Sequence, residues 1–285
     1  MADFYKYHGM GNDYLIMDPK KQKQDIVMNT HNILLICNRS LGVGSDGILY
    51  GPVYKDGIAQ LKIFNPDGSE AEKSGNGIRI FAQYLLDSLY EKETKFQIAT
   101  KGGIVYAEHQ DSKKKLWKID MGEYSFDSTK IPVHSDKKEV IDDEIEIDDK
   151  TFIITCVTVG NPHCVVFQSG VTKEFVKQYG PLIEKNTKFP NKTNVQFVEV
   201  LDNHNIKIEI WERGAGYTLA SGTSSIAASC ASFKKGLVKN KVNVHMPGGV
   251  LQVEIVDNKV FLTGPVEKVM EGDFAPEFIK HIINR

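Results

Sequence analysis

Two short turns concentrate the residue types that could do chemistry. Lys73-Ser74-Gly75-Asn76-Gly77-Ile78 and Ala220-Ser221-Gly222-Thr223-Ser224-Ser225 each place serine and glycine ahead of a helical run. Small residues let the backbone turn tightly and approach a ligand. The first N–H groups of the following helix have no intrahelical acceptor and sit at the positive end of its dipole, so each turn is suited to an anion. Two such termini facing one another would hold one carboxylate from both sides. The plainer account is that Ser74 and Ser221 only cap their helices, a position that serine favours.

Carboxamides form a second group. Asn12, Asn65, Asn161 and Asn194 lie in Gly-Met-Gly-Asn-Asp, Phe-Asn-Pro-Asp-Gly, Gly-Asn-Pro-His and Thr-Asn contexts. Asparagine is common in turns because it tolerates left-handed backbone and bonds its own chain. Four of them beside Glu212-Arg213-Gly214 suggest a polar pocket for a zwitterion. Carboxamides and Arg213 suit a carboxylate, and Glu212 with amide oxygens suits an ammonium. His163 fits either a general base or a satisfied buried histidine, and its place after a proline between strands favours the second. Cys164, next to it, falls on the opposite, core side of the same strand.

The elements that must position these residues include strand-like segments at 3–7, 14–18, 60–64, 103–108, 115–121, 151–158, 164–168, 195–200, 206–212, 241–245, 250–255 and 259–262. Helical patterns cover 25–38, 76–90, 173–178, 223–237 and 276–283. The 76–90 pattern is apolar on most sides, and 223–237 is rich in Ala and Ser. Many strands with a few buried helices predict an α+β protein. The acidic stretch 135–150 reads as a solvated surface hairpin and is the most linker-like segment. Each half of the chain repeats the order of strands, Ser-Gly turn and buried helix. Ser74 and Ser221 lie 147 positions apart, about half of the 285 residues, which suggests a duplicated fold.

Composition narrows the class. Thirty-five Lys+Arg against 37 Asp+Glu leave a net charge of −2, with no basic excess to draw nucleic acid or an anionic membrane. No apolar run approaches the ~20 residues of a membrane span. The polar, aromatic start lacks the apolar core of a secretory signal, so a cytoplasmic protein is expected. Cys37, Cys156, Cys164 and Cys230 show no CxxC spacing, and no His/Asp cluster suggests a metal. Gly42-Val43-Gly44-Ser45-Asp46-Gly47 fits neither a dinucleotide fingerprint nor a P-loop, so no nucleotide cofactor is expected.

Taken together, the motifs resemble the diaminopimelate epimerase family. The resemblance runs from Tyr7-His8-Gly9-Met10-Gly11-Asn12-Asp13 to Gly264-Pro265. It passes through Asn65-Pro66-Asp67-Gly68-Ser69-Glu70, Ser74-Gly75-Asn76-Gly77-Ile78-Arg79, Gly160-Asn161-Pro162-His163-Cys164 and Glu212-Arg213-Gly214-Ala215-Gly216. It implies two pseudo-symmetric domains, each a barrel-like mixed sheet around a central helix, with the active site in the cleft. The expected domains are 1–120 plus 266–285, and 121–265. It also implies an isomerase without cofactor or metal that converts LL- to meso-diaminopimelate for lysine and peptidoglycan precursors. One thiolate removes the α-proton while the opposite thiol returns one, and a homodimer is compatible.

By the same resemblance, backbone at Gly75, Asn76, Gly222 and Thr223 holds the reacting carboxylate. Asn65, Asn161, Asn194 and Arg213 hold the distal carboxylate, Glu212 lies near the distal amine, Asn12 lines the site and His163 supports it. The departure is that the two acid/base cysteines fall at Ser74 and Ser221. A thiol titrates near ~8.5 and drops further at a helix N-terminus; an alcohol has no comparable acidity. Tyr217 also stands where the family usually has Glu. Three accounts fit: an epimerase whose cysteines were replaced by serine, a natural Ser/Ser branch that is an epimerase or racemase of another amino acid using His163 or another base or a lyase-like relative, and a catalytically silent amino-acid-binding relative.

Overall fold

The computed structural model describes residues 2–148 and 150–283. The chain separates into two compact units, Met1–Ile119 with Gly264–Arg285, and Asp120–Thr263. In chain order, the first unit contains β1 (Phe4–Gly9), β2 (Asn12–Met17), α1 (Thr30–Cys37), β3 (Ile48–Lys55), β4 (Ile58–Phe64), β5 (Glu70–Ala71), α2 (Gly75–Asp87), β6 (Lys95–Thr100), β7 (Gly103–Asp111) and the start of β8 (Leu116–Glu123). The second contains β9 (Asp143–Ile147), β10 (Lys150–Thr158), β11 (Pro162–Phe167), α3 (Lys173–Glu184), β12 (Asn194–Asp202), β13 (Asn205–Glu212), β14 (Gly216–Thr218), α4 (Gly222–Lys234), β15 (Lys241–Met246), β16 (Gly249–Val256) and most of β17 (Lys259–Pro265). The chain then returns to the first unit with β18 (Glu267–Gly272) and α5 (Pro276–Ile283).

The pairing is duplicated. In the first unit β1–β2 is antiparallel, β2–β3 parallel across α1, β3–β4 and β4–β5 antiparallel, and β4–β6 parallel across α2. In the second, β10–β11, β11–β12 across α3, β12–β13, β13–β14 and β13–β15 across α4 repeat the same senses in the same order. Each unit is a mixed sheet, antiparallel except where a helix makes the crossover that a parallel pair requires.

The central helices explain themselves by composition. Every residue of α2 from Gly75 to Leu85 is buried, and α2 packs on β1, β2, β3 and β7. The small residues of α4 allow a closer fit, with contacts to β10, β11, β12, β13, β15 and β16. The outer face of each sheet is covered as well. Leu15, Met17, Ile48 and Phe64 pack with α1 and α5, and Cys156, Cys164, Val166 and Phe197 pack with α3. Strands buried on both faces read as continuous apolar runs, which is why β10 to β12 were legible.

Four longer strands carry no such signal. β3 is interrupted by Gly51-Pro52, β6 is half polar, and β18 presents an exposed, charged edge. β9 lies inside the acidic stretch, where Ile145 and Ile147 are buried although their neighbours are charged; the segment pairs with β10 and belongs to the second unit. Two helix bounds also move. α1 begins at Thr30 rather than at residue 25, because the Asn29 side chain accepts the Asn32 N–H and sets the cap. α3 continues through Pro181 to Glu184.

Candidate functional site

In the first unit the site is built on β2 and the N-terminus of α2. Residues 12 and 14 share one face of β2, because side chains alternate along a strand. Asn12 Oδ1 accepts the Asn76 Nδ2–H at 2.9 Å, and the Tyr14 hydroxyl lies 3.1 Å from Ser74 Oγ. Gly47 makes room for that tyrosine: a Cβ there would lie 2.5 Å from the Phe64 carbonyl oxygen and 2.7 Å from the Tyr14 ring. Ser74 is the N-cap, its Oγ accepting the Gly77 N–H at 3.0 Å while its carbonyl accepts the Ile78 N–H. Gly75 and Asn76 therefore present N–H groups for which the helix itself has no acceptor.

Beneath this turn sits Arg79, fully buried. It donates to Asn76 Oδ1 at 2.5 Å and to the Gly75 carbonyl at 3.2 Å, and its Nε has no partner among the described residues. Burial lowers its guanidinium to about 9. The carboxylates at and after Asn12 are committed to other partners. Asp46 accepts from Asn12 and Arg39, and Asp13 binds Lys6 and Arg39. Asn65 stands at the β4–β5 turn, donating to Ser69 Oγ at 3.0 Å, and among the described residues makes no hydrogen bond to the α2 terminus.

In the second unit the polar residues converge. β11 and β12 run parallel with His163 opposite Asn194. Asn194 acts as a clamp: its Nδ2 donates to the Pro162 carbonyl at 2.8 Å and its Oδ1 accepts the Arg213 N–H at 3.0 Å. Arg213 Nη1 donates to the Asn191 carbonyl, and the Glu212 carbonyl accepts the Ala215 N–H to close the turn. Glu184 at the end of α3 holds the same turn, accepting from Trp211 Nε1 at 2.7 Å and from the Gly214 N–H at 3.2 Å.

Ser221 caps α4 as Ser74 caps α2. Its Oγ accepts the Ser224 N–H at 3.4 Å and its carbonyl accepts the Ser225 N–H, which leaves the Gly222 and Thr223 N–H groups at the helix end. Gln196 of β12 donates to Ser224 Oγ at 3.0 Å and pins the helix start to the sheet.

His163 is buried, with Nε2 2.9 Å from Asn161 Oδ1. Desolvation lowers its pKa to about 3, the nearby Arg213 charge adds to this, and the Gln196 carboxamide opposes it without reaching hydrogen-bond geometry. It is neutral at physiological pH, and its imidazolium is too strong an acid for the ring to hold a substrate proton. The four thiols are all free and buried. Burial raises Cys37, Cys164 and Cys230, and Cys164 also faces Cys156 directly across β10–β11. These three offer no thiolate at neutral pH. Tyr217 donates to Glu209 at 2.7 Å, and desolvation together with that bond pushes its phenol up.

The structure thus joins Asn12, Ser74, Gly75 and Asn76 in one unit. In the other it joins Asn161, His163, Asn194, Glu212 and Arg213, with Ser221, Gly222 and Thr223 at the adjoining helix start. Sequence reasoning missed Tyr14, Arg79, Glu184 and Gln196. Tyr14 had a signal, being two places after Asn12 on one strand. Arg79 had another, a charge inside an otherwise apolar helix. Among the described residues no helix is long and apolar enough to cross a membrane, and no group of three His, Cys, Asp or Glu could hold a metal.

Comparison with known proteins gives three concordant results. The chain matches the family described as "Diaminopimelate epimerase" over residues 4–126 and 155–269. It is 47% identical to "Diaminopimelate epimerase 2" of Nostoc sp. over 285 residues, 99% of each chain. It is 40% identical to the diaminopimelate epimerase of Caldanaerobacter subterraneus, covering 95% of this chain and 98% of that one. Among solved structures, a hydroxyproline epimerase from Agrobacterium vitis aligns with a TM-score of 0.67 at 14% identity, covering 94% and 90% of the two chains. A phenazine biosynthesis protein of the PhzF family from Bacillus anthracis aligns with 0.66 at 13% identity, covering 95% and 97%. The structural likenesses establish the fold.

Proposed function

Because the chain belongs to the diaminopimelate epimerase family and is an isomerase of that class, we propose that it interconverts LL- and meso-diaminopimelate at the two serine-capped helix termini. The reacting carboxylate is held by the N–H groups of Gly75, Asn76, Gly222 and Thr223, where fixed donors and helix dipoles stabilise charge that develops as the α-carbon loses its proton. Asn65, Asn161, Asn194 and Arg213 take the distal carboxylate, Glu212 the distal ammonium, and Asn12 lines the site. Ser74 and Ser221 occupy the proton-transfer positions, and His163 supports the fold around them as a neutral imidazole. One observation carries the reading: the same terminus, a serine cap followed by two N–H groups without intrahelical acceptors, is built twice, once in each unit.

An unassisted alcohol is a poor carbon-acid base, so exchange by the serine form is slow and a thiol at each position accelerates it. The test is α-deuteration of LL- and meso-diaminopimelate in heavy water, followed by NMR, for the unmodified chain and for Ser74→Cys plus Ser221→Cys. Exchange by the double-cysteine protein supports the reading, and its absence refutes it. The four buried thiols favour a second reading, a silent binding protein. Calorimetry showing tight binding with no exchange in the unmodified chain supports that one. With this function we further propose a cytoplasmic homodimer on a route to lysine and peptidoglycan precursors; sedimentation velocity measures the oligomeric state.

A further inference from the structure

The two hydroxyls that the sequence makes equivalent differ in their surroundings. Ser221 Oγ takes the Ser224 N–H and, among the described residues, no other hydrogen bond. Ser74 Oγ takes the Gly77 N–H and also meets the Tyr14 hydroxyl at 3.1 Å, where either oxygen can be the donor. A phenol titrates near ~10, within reach of a thiol's ~8.5 and far below an alcohol. We infer that Tyr14 is the proton reservoir of the first unit and acts through Ser74, so that the pair replaces a cysteine. This rests on the epimerase chemistry proposed above.

The two directions of the Tyr14–Ser74 bond correspond to the two forms that the reaction needs. In the base form the Tyr14 phenolate accepts the Ser74 O–H, the Gly77 N–H occupies one Oγ lone pair, and the other lone pair is left for the α-hydrogen. As the Cα–H bond breaks, its proton joins Ser74 Oγ, and the serine's own proton passes to the Tyr14 oxygen. The electron pair stays on the substrate, shared with its carboxylate. In the resulting acid form Tyr14 donates to Ser74 Oγ, whose new O–H lies ready for the return step. Charge and protons balance without a co-reactant.

The titratable groups on the elements packed against Tyr14 are committed to partners of their own. On β1 the residue opposite it is Tyr7, whose hydroxyl is committed to Asp87. Asp46, before Gly47, is bound to Asn12 and Arg39, and Asp13 on β2 itself turns to Lys6 and Arg39. On α2 the charged group is Arg79, a buried cation without a carboxylate partner among the described residues. Because Ser221 has no matching phenol among the described residues, proton removal at the first unit outruns return at the second, and the unmodified chain exchanges the α-hydrogen of one isomer faster than it inverts it.

The experiment measures α-deuteration and inversion of both isomers from pH 6 to 9.5, by the unmodified chain, Tyr14→Phe, Ser74→Cys, and Tyr14→Phe with Ser74→Cys. Thermal melts confirm that each variant is folded. Tyr14→Phe is expected to lower exchange at least about tenfold with serine at position 74. With cysteine there, the loss is several times smaller, since a thiol needs no reservoir. The serine form gains rate with pH towards the phenol range, and fluorotyrosine at position 14, a more acidic phenol, moves that limb to lower pH. Equal losses in both backgrounds, or a limb that fluorination does not move, overturn the inference. No exchange by the unmodified chain, with exchange by the double-cysteine protein, overturns it too while the family function stands. No exchange by the double-cysteine protein removes both.

Discussion

Arg79→Met separates what the first unit needs for folding from what it needs for an anion. The guanidinium is fully buried, and its folded value of about 9 lies roughly 3.5 units below an ordinary arginine. At ~1.36 kcal/mol per unit, keeping that charge inside costs on the order of 5 kcal/mol at neutral pH. Methionine removes the cost and forfeits the bonds to Asn76 Oδ1 and the Gly75 carbonyl, worth about 1.5–3 kcal/mol each. The ligand-free variant is therefore expected to lie between about 1 kcal/mol less stable and about 2 kcal/mol more stable than the parent.

The sign with pH follows from the same shift. Above about 9, and up to the ordinary arginine range, the unfolded chain binds more protons at this residue than the folded one, so parent stability rises with pH there, and the variant lacks the rise. Binding moves the other way. Arg79 lies one helical turn from the Gly75 N–H, roughly 6 Å from an anion there. At an effective dielectric of about 20 the attraction is about 3 kcal/mol, or about a hundredfold in Kd. Urea unfolding at pH 7 and 10, with calorimetry on meso-diaminopimelate, reads both quantities. A variant destabilised by more than about 2 kcal/mol, or one that binds within threefold of the parent, would refute the reasoning.

Two further outcomes follow from the second unit. With His163 near 3 in the fold and near ~6.5 when unfolded, the unfolded state holds the extra proton between these values, so stability is lost as pH falls through that window; His163→Gln flattens this part of the pH dependence, measured by urea unfolding from pH 4 to 7. Asn194→Ala strands the Pro162 carbonyl and the Arg213 N–H, costing about 2–4 kcal/mol in unfolding experiments and raising KM more than it lowers kcat, because the loosened turn carries Glu212 and Arg213.

The sequence by itself determined the class of fold and where the helices that matter begin. Strands buried on both faces wrote themselves as apolar runs, and a serine before two small residues is a local signal for a capped helix start; such features depend on neighbours within a few positions. Their repetition at half the chain length already announced the duplicated sheet pattern. It also showed that no cysteine stands at either capped turn. The strand through Gly51-Pro52, the edge strand 267–272 and the buried isoleucines of the acidic stretch were not legible, because only a partner strand makes such sequences extended.

The tertiary structure decided what each group can do. Asn12 and Asn76 are 64 positions apart and share a hydrogen bond; Tyr14 and Ser74 are 60 apart and form the only phenol–serine pair at either terminus among the described residues. Register between distant segments sets these pairs, and no local spacing encodes it. Burial then sets the chemistry: His163 is neutral, the thiols of Cys37, Cys164 and Cys230 are pushed up and the Arg79 guanidinium is pulled down, because desolvation depends on everything packed around a group rather than on its neighbours in the chain.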